Sequence, residues 1–168
     1  MLRLRPLGPD DEAAARAGQE QMAAEGFTFG LWLEAGTPWC DYLQTLADSR
    51  AGVNLPDGLV PSTFLVADVD GQIVGRVSIR HHLNEFLRLE GGHIGYGVLP
   101  GLRRRGYATE ILRQALIVAR SIGIDRVLIT TDDDNAASIK VIEANGGKLD
   151  SVRPATGTAP AHRLYWID

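Results

Sequence analysis

The chain has 168 residues, 45% hydrophobic and 23% charged, a balance that suits one hydrophobic core and excludes a disordered chain. Its formal net charge of −4 argues against general nucleic-acid binding, and apolar runs such as residues 115–119 are far too short to cross a bilayer. The single cysteine, Cys40, excludes an internal disulfide and a thiolate metal cluster.

Two arginines in the first seven residues are followed by no apolar stretch, so no signal peptide is expected and the expected address is cytoplasmic. Leu2 and Leu4, alternating with Arg3 and Arg5, predict a short first strand. Asp10 is the expected cap of an alanine-rich helix over residues 11–24. A second helix is predicted over residues 38–47, opened by Thr37 and Pro38, with Trp39, Leu43 and Leu46 at helical spacing. Residues 49–62 are rich in Gly, Pro, Asn and Asp and lack periodicity, which reads as a lid or binding loop. Two β-rich runs follow, 63–69 and 72–80, joined by Asp70-Gly71, a pair that accepts the positive φ of a tight hairpin.

Residues 91–99 form a third predicted sheet segment. From 106 to 122, Ala108, Ile111, Leu112, Ala115, Ala119 and Ile122 make one stripe, as on a helix lying on a sheet. A buried strand is expected at 126–131, and then a helix capped by Asp134 and ended by Asn145-Gly146-Gly147. Strands at 148–153 and 162–167 close the chain. This order predicts an α/β fold: a mixed sheet with helices on both faces, in a single domain over residues 1–168.

One segment indicates the ligand. After the third sheet segment come Pro100, then Arg103, Arg104 and Arg105, then Gly106 and an amphipathic helix. A helix start leaves its first N–H groups unpaired at the positive end of the dipole, a natural anion site. Gly106 permits close backbone approach and Ala108 keeps the next turn narrow, so the ligand class is one carrying a pyrophosphate. A dinucleotide loop is disfavoured, because Pro100 stands where the pattern begun by Gly95 and Gly97 needs its third glycine.

The run Arg103, Arg104, Arg105, Gly106, Tyr107, Ala108 resembles the fingerprint of the GNAT superfamily of acetyl-CoA-dependent N-acetyltransferases: Gln or Arg, two free positions, Gly, one free position, Gly or Ala. Val98 matches that family's strand-end position, whose backbone pairs with the pantetheine arm, and Leu99 follows it. Asn135, Ser138 and Gly146-Gly147 match a second landmark. The resemblance implies a GNAT-type, mostly antiparallel sheet. It also implies acetyl-CoA as co-substrate, held by the backbone of Arg104 to Ala108, by the arginines and by Asn135 and Ser138.

Acetyl transfer to an amine needs a base, because a lysine-like amine lies roughly three pK units above neutrality, about 4 kcal/mol from its reactive form. Many relatives place the base on the strand where this chain has Gly92, and a tyrosine acid where it has Ile142. Strand parity puts Glu90 with Gly92, Ile94, Tyr96 and Val98, so Glu90 is the nearest carboxylate of that parity; of His81 and His82, one faces the acceptor side, and His81 is taken as the second candidate. His93, of the opposite parity, reads as a satisfied histidine. Asp132, Asp133 and Asp134 read as a capped, solvated turn, or as charge that draws a cationic amine to the cleft. No metal is expected. Direct transfer to the primary amine of a small-molecule acceptor is the expected reaction, since no cysteine near the motif can carry an acetyl group. The alternative is a CoA-binding or sensing module without catalysis. Dimers are common among such relatives, and the last strand, with Leu164, Tyr165 and Trp166, is the element read as contributing to one.

Overall fold

A computed structural model describes residues 1–157 and 160–168. The chain runs β1 (Leu2–Arg5), a turn of 3-10 helix (Pro9–Asp11), α1 (Glu12–Ala23), α2 (Trp39–Ala51), β2 (Ser62–Val69), β3 (Gln72–Arg80) and α3 (Glu85–Leu89). It continues with β4 (Ile94–Val98), α4 (Tyr107–Ser121), β5 (Val127–Asp132), α5 (Ala136–Ala144), β6 (Lys148–Arg153) and β7 (His162–Ile167). The first four strands form one antiparallel sheet in the order β1-β2-β3-β4; the other three form a second, in the order β5-β7-β6.

The two sheets are joined at His93. His93 donates its backbone N–H to Leu128 O at 2.7 Å, and its ring Nδ1 accepts from Leu128 N–H at 2.9 Å. Burial, helped by Arg88, Arg80 and His82, pulls the His93 pKa down to about 4, so the ring is neutral and keeps the lone pair that this bond needs. His93 is thus the satisfied histidine the sequence suggested.

Each face of the first sheet has its own core. Ile111, Leu112, Ala115 and Ala119 of α4 pack on Val77, Ile79 and Ile94, and the same cluster takes in Ile129 and Tyr165 of the second sheet. On the other face, Ala15 and Met22 of α1 and Trp39 and Tyr42 of α2 cluster with Phe64 and Val66 of β2. Each fully buried large side chain contributes roughly 2 kcal/mol. Gly75 is required by close approach: a Cβ there would sit 2.4 Å from Gly97 O and 3.1 Å from Ile111 Cδ1. The hairpin forms as its sequence demands, with Asp70 at φ 52° and Gly71 at φ 88°.

Several boundaries differ from expectation for local reasons. The second helix continues to Ala51, because Ser49 turns inward and bonds Ser62 Oγ at 3.0 Å, and Gly52 ends it at φ 73°. The irregular loop is therefore shorter than predicted. The carboxylate of Asp11 is held by Gly8 N–H and Arg5, both at 2.6 Å, and no side chain caps α1. Asn135, not Asp134, caps α5, its Oδ1 accepting from Ser138 N–H at 3.0 Å. Finally, β7 lies between β5 and β6, so its edges are occupied and it offers no free edge for pairing with a second copy. Among the described residues no helix is long and apolar enough to cross a membrane.

Candidate active site

The site starts where β4 leaves the sheet. Leu99 N–H donates to Val74 O at 2.9 Å, so by strand alternation the polar backbone groups of Val98 and Tyr96 turn the other way, toward β5. There β4 and β5 belong to separate sheets and spread apart beyond the His93–Leu128 junction. The opening so formed has exposed polar backbone on one wall.

After a turn of 3-10 helix (Pro100–Leu102) comes the arginine run. Arg104 has φ 61° and Gly106 φ 80°, with Arg105 between them on the ordinary side, an alternation that aims successive N–H groups at one point. Backbone N–H groups from Arg104 to Ala108 find no acceptor among the described residues. Together with the dipole of a fifteen-residue helix, they make a cradle for an anion. A Cβ on Gly106 would meet nothing within 4 Å, so glycine is needed there for its φ and not for room.

This cradle opens into a cleft of about 810 Å³. Tyr96 to Val98 form one wall, Asn135 and Ser138 at the start of α5 another, and Glu25 to Phe27 a third. The Tyr96 hydroxyl lies 3.0 Å from Ser138 Oγ. Burial pushes the Tyr96 pKa up to about 12 against the opposing effect of the Ser138 hydrogen bond, so the phenol keeps its proton at neutral pH.

The arginines divide their work. Arg103 Nε donates to Val98 O at 3.0 Å and its Nη2 pairs with Glu25 at 2.5 Å, tying the end of α1 to the end of β4. Arg104 lines the cleft beside the cradle; Arg105 is exposed and off its lining, as is Leu99, which is buried toward α1. The remaining residues expected to hold a cofactor, Val98, Gly106, Tyr107, Ala108, Asn135 and Ser138, are brought together on this one cleft.

Glu90 and His81 are not brought there. Gly91 and Gly92 take φ 93° and φ 59°, which ends the strand early and breaks the parity that linked Glu90 to Tyr96; Glu90 is an exposed residue at the end of α3. A Cβ on Gly92 would lie 2.4 Å from Leu128 O, so the crossing of the chain over β5 sets the break. His81 lies beyond the far end of β3, its Nε2 2.9 Å from Thr63 Oγ1. Ile142 is fully buried in the core, so that position offers the cleft nothing. The three aspartates part company: Asp132 lines the cleft with Oδ1 3.0 Å from His162 Nδ1, Asp133 pairs with Arg163 at 2.6 Å, and Asp134 is exposed. Among the described residues no group of three or more His, Cys, Asp or Glu is placed to hold a metal ion.

Tyr96 is a cleft residue to which sequence reasoning assigned no role, although the alternation Ile94, Tyr96, Val98 sets its phenol on the face turned toward α5. Phe27 lies in the stretch that the resemblance associates with an acceptor pocket, and it does line the cleft.

Residues 1–148 match the family model for the acetyltransferase (GNAT) domain, and the chain belongs to that family. Among solved structures, yncA of Salmonella typhimurium, determined with acetyl-CoA, is similar over 99% of this chain and 92% of its own, with a TM-score of 0.68 and 16% identity. RimJ of Mycobacterium smegmatis, in complex with a CoA disulfide, superposes with a TM-score of 0.70 at 22% identity, covering 99% of this chain and 81% of its own. RimL, a ribosomal alpha-N-protein acetyltransferase solved with coenzyme A, gives 0.71 at 16% identity over 99% of this chain and 93% of its own. These likenesses establish a shared fold. No curated protein matches the sequence.

Proposed function

We propose that the protein transfers the acetyl group of acetyl-CoA directly to a primary amine, with residues 1–168 working as one domain. The observation that carries this reading is the row of unpartnered amides from Arg104 to Ala108 at the mouth of a cleft that ends at a half-buried phenol. The diphosphate of the donor lies on those amides and Arg104, and its pantetheine arm runs between Val98 and Asn135. Relatives of the same fold solved with acetyl-CoA or coenzyme A support this choice of donor.

At the thioester, backbone N–H on the open edge of β4 meets the developing oxyanion, and such donors contribute roughly 3 kcal/mol each. The amine nitrogen forms the new bond to the acetyl carbon as the carbon–sulfur bond breaks. Tyr96, protonated and bonded to Ser138, donates to the departing sulfur, which supplies the hydroxyl that Ile142 does not. The amine proton leaves through water toward the Asp132–His162 pair, since Glu25, the other carboxylate on the wall, is held by Arg103. This assignment replaces Glu90 and His81.

The acceptor in this reading is a small molecule, because Phe27 folds over Gly97 and narrows the cleft on the acceptor side. Relatives that act on ribosomal proteins make peptide N-termini the competing class. Thiol release measured across small amines and N-terminal peptides, beside thermal shift with acetyl-CoA, tests the proposal. Turnover with small amines is expected. Stabilisation by acetyl-CoA without turnover on any amine would instead identify a CoA-sensing module.

A further inference from the structure

β3 carries an unusual strip on the face opposite α4. Gly75 points to Ile111 of α4, so alternation turns Arg76, Ser78 and Arg80 toward α1 and α2, and Arg76 indeed stacks over Phe27 at 4.5 Å. Their neighbours across the ladder, Gly97 beside Arg76 and Gly95 beside Ser78, have no side chains to cover them. Arg80 lies in the space so left, its Nη1 3.5 Å from where a Cβ of Gly95 would be.

Three buried side-chain polar atoms among the described residues have no hydrogen-bond partner, and they are Tyr42 Oη, Arg76 Nε and Ser78 Oγ. Arg76 and Ser78 adjoin on the strip, and Tyr42 is close enough to act electrostatically on Arg76. Arg76 is 5% exposed and Ser78 not at all. Among the described residues the hydrogen-bond acceptors of the two guanidinium groups are carbonyl oxygens, for Arg76 those of Gly95 and Thr28 and for Arg80 those of Gly91 and Gly92. A buried cation beside a half-buried one, with no carboxylate between them, is costly, and truly orphaned buried donors mark an absent partner or a functional role. Burial and the charge of Arg80 draw the Arg76 pKa down to about 10, still charged at neutral pH. An anion with several acceptor oxygens would satisfy all three.

We propose that this strip is the anion subsite of the acceptor, which carries a carboxylate or phosphate in addition to its amine. The inference rests on the acetyl-transfer reading above. Arg76 Nε, Ser78 Oγ and Tyr42 Oη donate to the anion, while the amine lies near Tyr96. Phe27 separates the two places: it lines the cleft, stacks on Arg76, and fills the space over Gly97, where a Cβ would be 2.8 Å from its ring. Gly26, just before Phe27, takes φ 73° and has nothing within 4 Å of its Cβ position. With the ring swung aside, the cleft opens across Gly97 onto Arg76.

Matched acceptor pairs test the subsite: amino acids against their amides, and aminoalkyl phosphates against the corresponding amino alcohols. Thiol release is expected to favour the anionic members at least tenfold in kcat/KM, and the better of the two anions names the source. Ser78→Ala and Tyr42→Phe are expected to lower that preference roughly tenfold each, the effect of losing a hydrogen bond to a charged group. They leave KM for acetyl-CoA unchanged and the melting temperature of the free protein equal or higher, since each removes an orphaned hydroxyl. A hydroxyl with a structural role would lower the melting temperature instead. A second readout needs no turnover: with CoA present, N-acetyl-amino acids stabilise the wild-type protein and N-acetyl-amino amides do not. Amides performing as well as acids in either assay overturn the subsite, even where acetyl transfer is observed. Acid-selective stabilisation without any turnover retains the subsite and removes the catalytic reading.

Discussion

Single side chains decide the chemistry, and Tyr96 is the clearest case. Its phenol is half-buried, protonated and 3.0 Å from Ser138 Oγ. Tyr96→Phe is expected to lower kcat by one to two orders of magnitude while leaving KM for acetyl-CoA unchanged, in the range typical of a lost proton donor. Initial-rate kinetics checks this, and an unchanged kcat would remove Tyr96 from the mechanism. His93 makes a prediction of a different kind. Its folded pKa of about 4 lies below the ordinary 6.5, so between those values the unfolded chain binds the proton more readily. The stability it confers is fully present above pH 6.5 and falls as pH drops toward 4, by about 2 kcal/mol once solvent screening is allowed for. Asp11, held down first by Arg5, and Asp68, held down first by Gly71 N–H, lose stability in the same acid direction. Melting curves from pH 7 to 4 should fall, and His93→Gln should flatten the part between 6.5 and 4; an unaltered slope in that variant would contradict the assignment.

At the scale of elements, the strand-to-helix passage from β4 to α4 carries the proposed donor site, and α5 lines the same cleft. Asn135 caps α5 and stands on the cleft wall, so Asn135→Ala is expected to cost about 1 kcal/mol of stability and to weaken acetyl-CoA binding together. Thermal denaturation with and without the donor separates the two effects, and a stability loss alone would make Asn135 only a cap. This passage was largely legible beforehand, because an arginine run, a glycine and an amphipathic stripe are local signals with local causes. The strand before it was not. Gly91 and Gly92 looked like sheet residues, whereas both take positive φ, and Gly92 lies against Leu128, far away in sequence. Parity arguments fail past such a break, and Glu90 was lost with it. Likewise the end of α2 depended on Ser49 reaching Ser62 at the start of β2, a contact invisible to periodicity.

Across the whole molecule, two antiparallel sheets hinge on His93 and spread to make the cleft, with α4 and α5 closing one side and the α1–α2 connection the other. The order of strands and longer helices was readable because each has its own hydrophobic period, whereas the short α3, which was not foreseen, carries none. The acceptor side was not, since residues 24–38 have no regular structure and Arg76 looked like any charged strand residue until the sheet buried it. The central claim is that the turn opening α4 grips a coenzyme A diphosphate through its backbone, and calorimetric titration of acetyl-CoA into the wild-type protein and Gly106→Ala tests it most directly. Wild-type protein should give saturable heat with one site per chain, and the variant, forced to hold alanine at φ 80°, should bind about fivefold or more weakly. No heat with wild-type protein, or equal affinity in the two, would contradict the account.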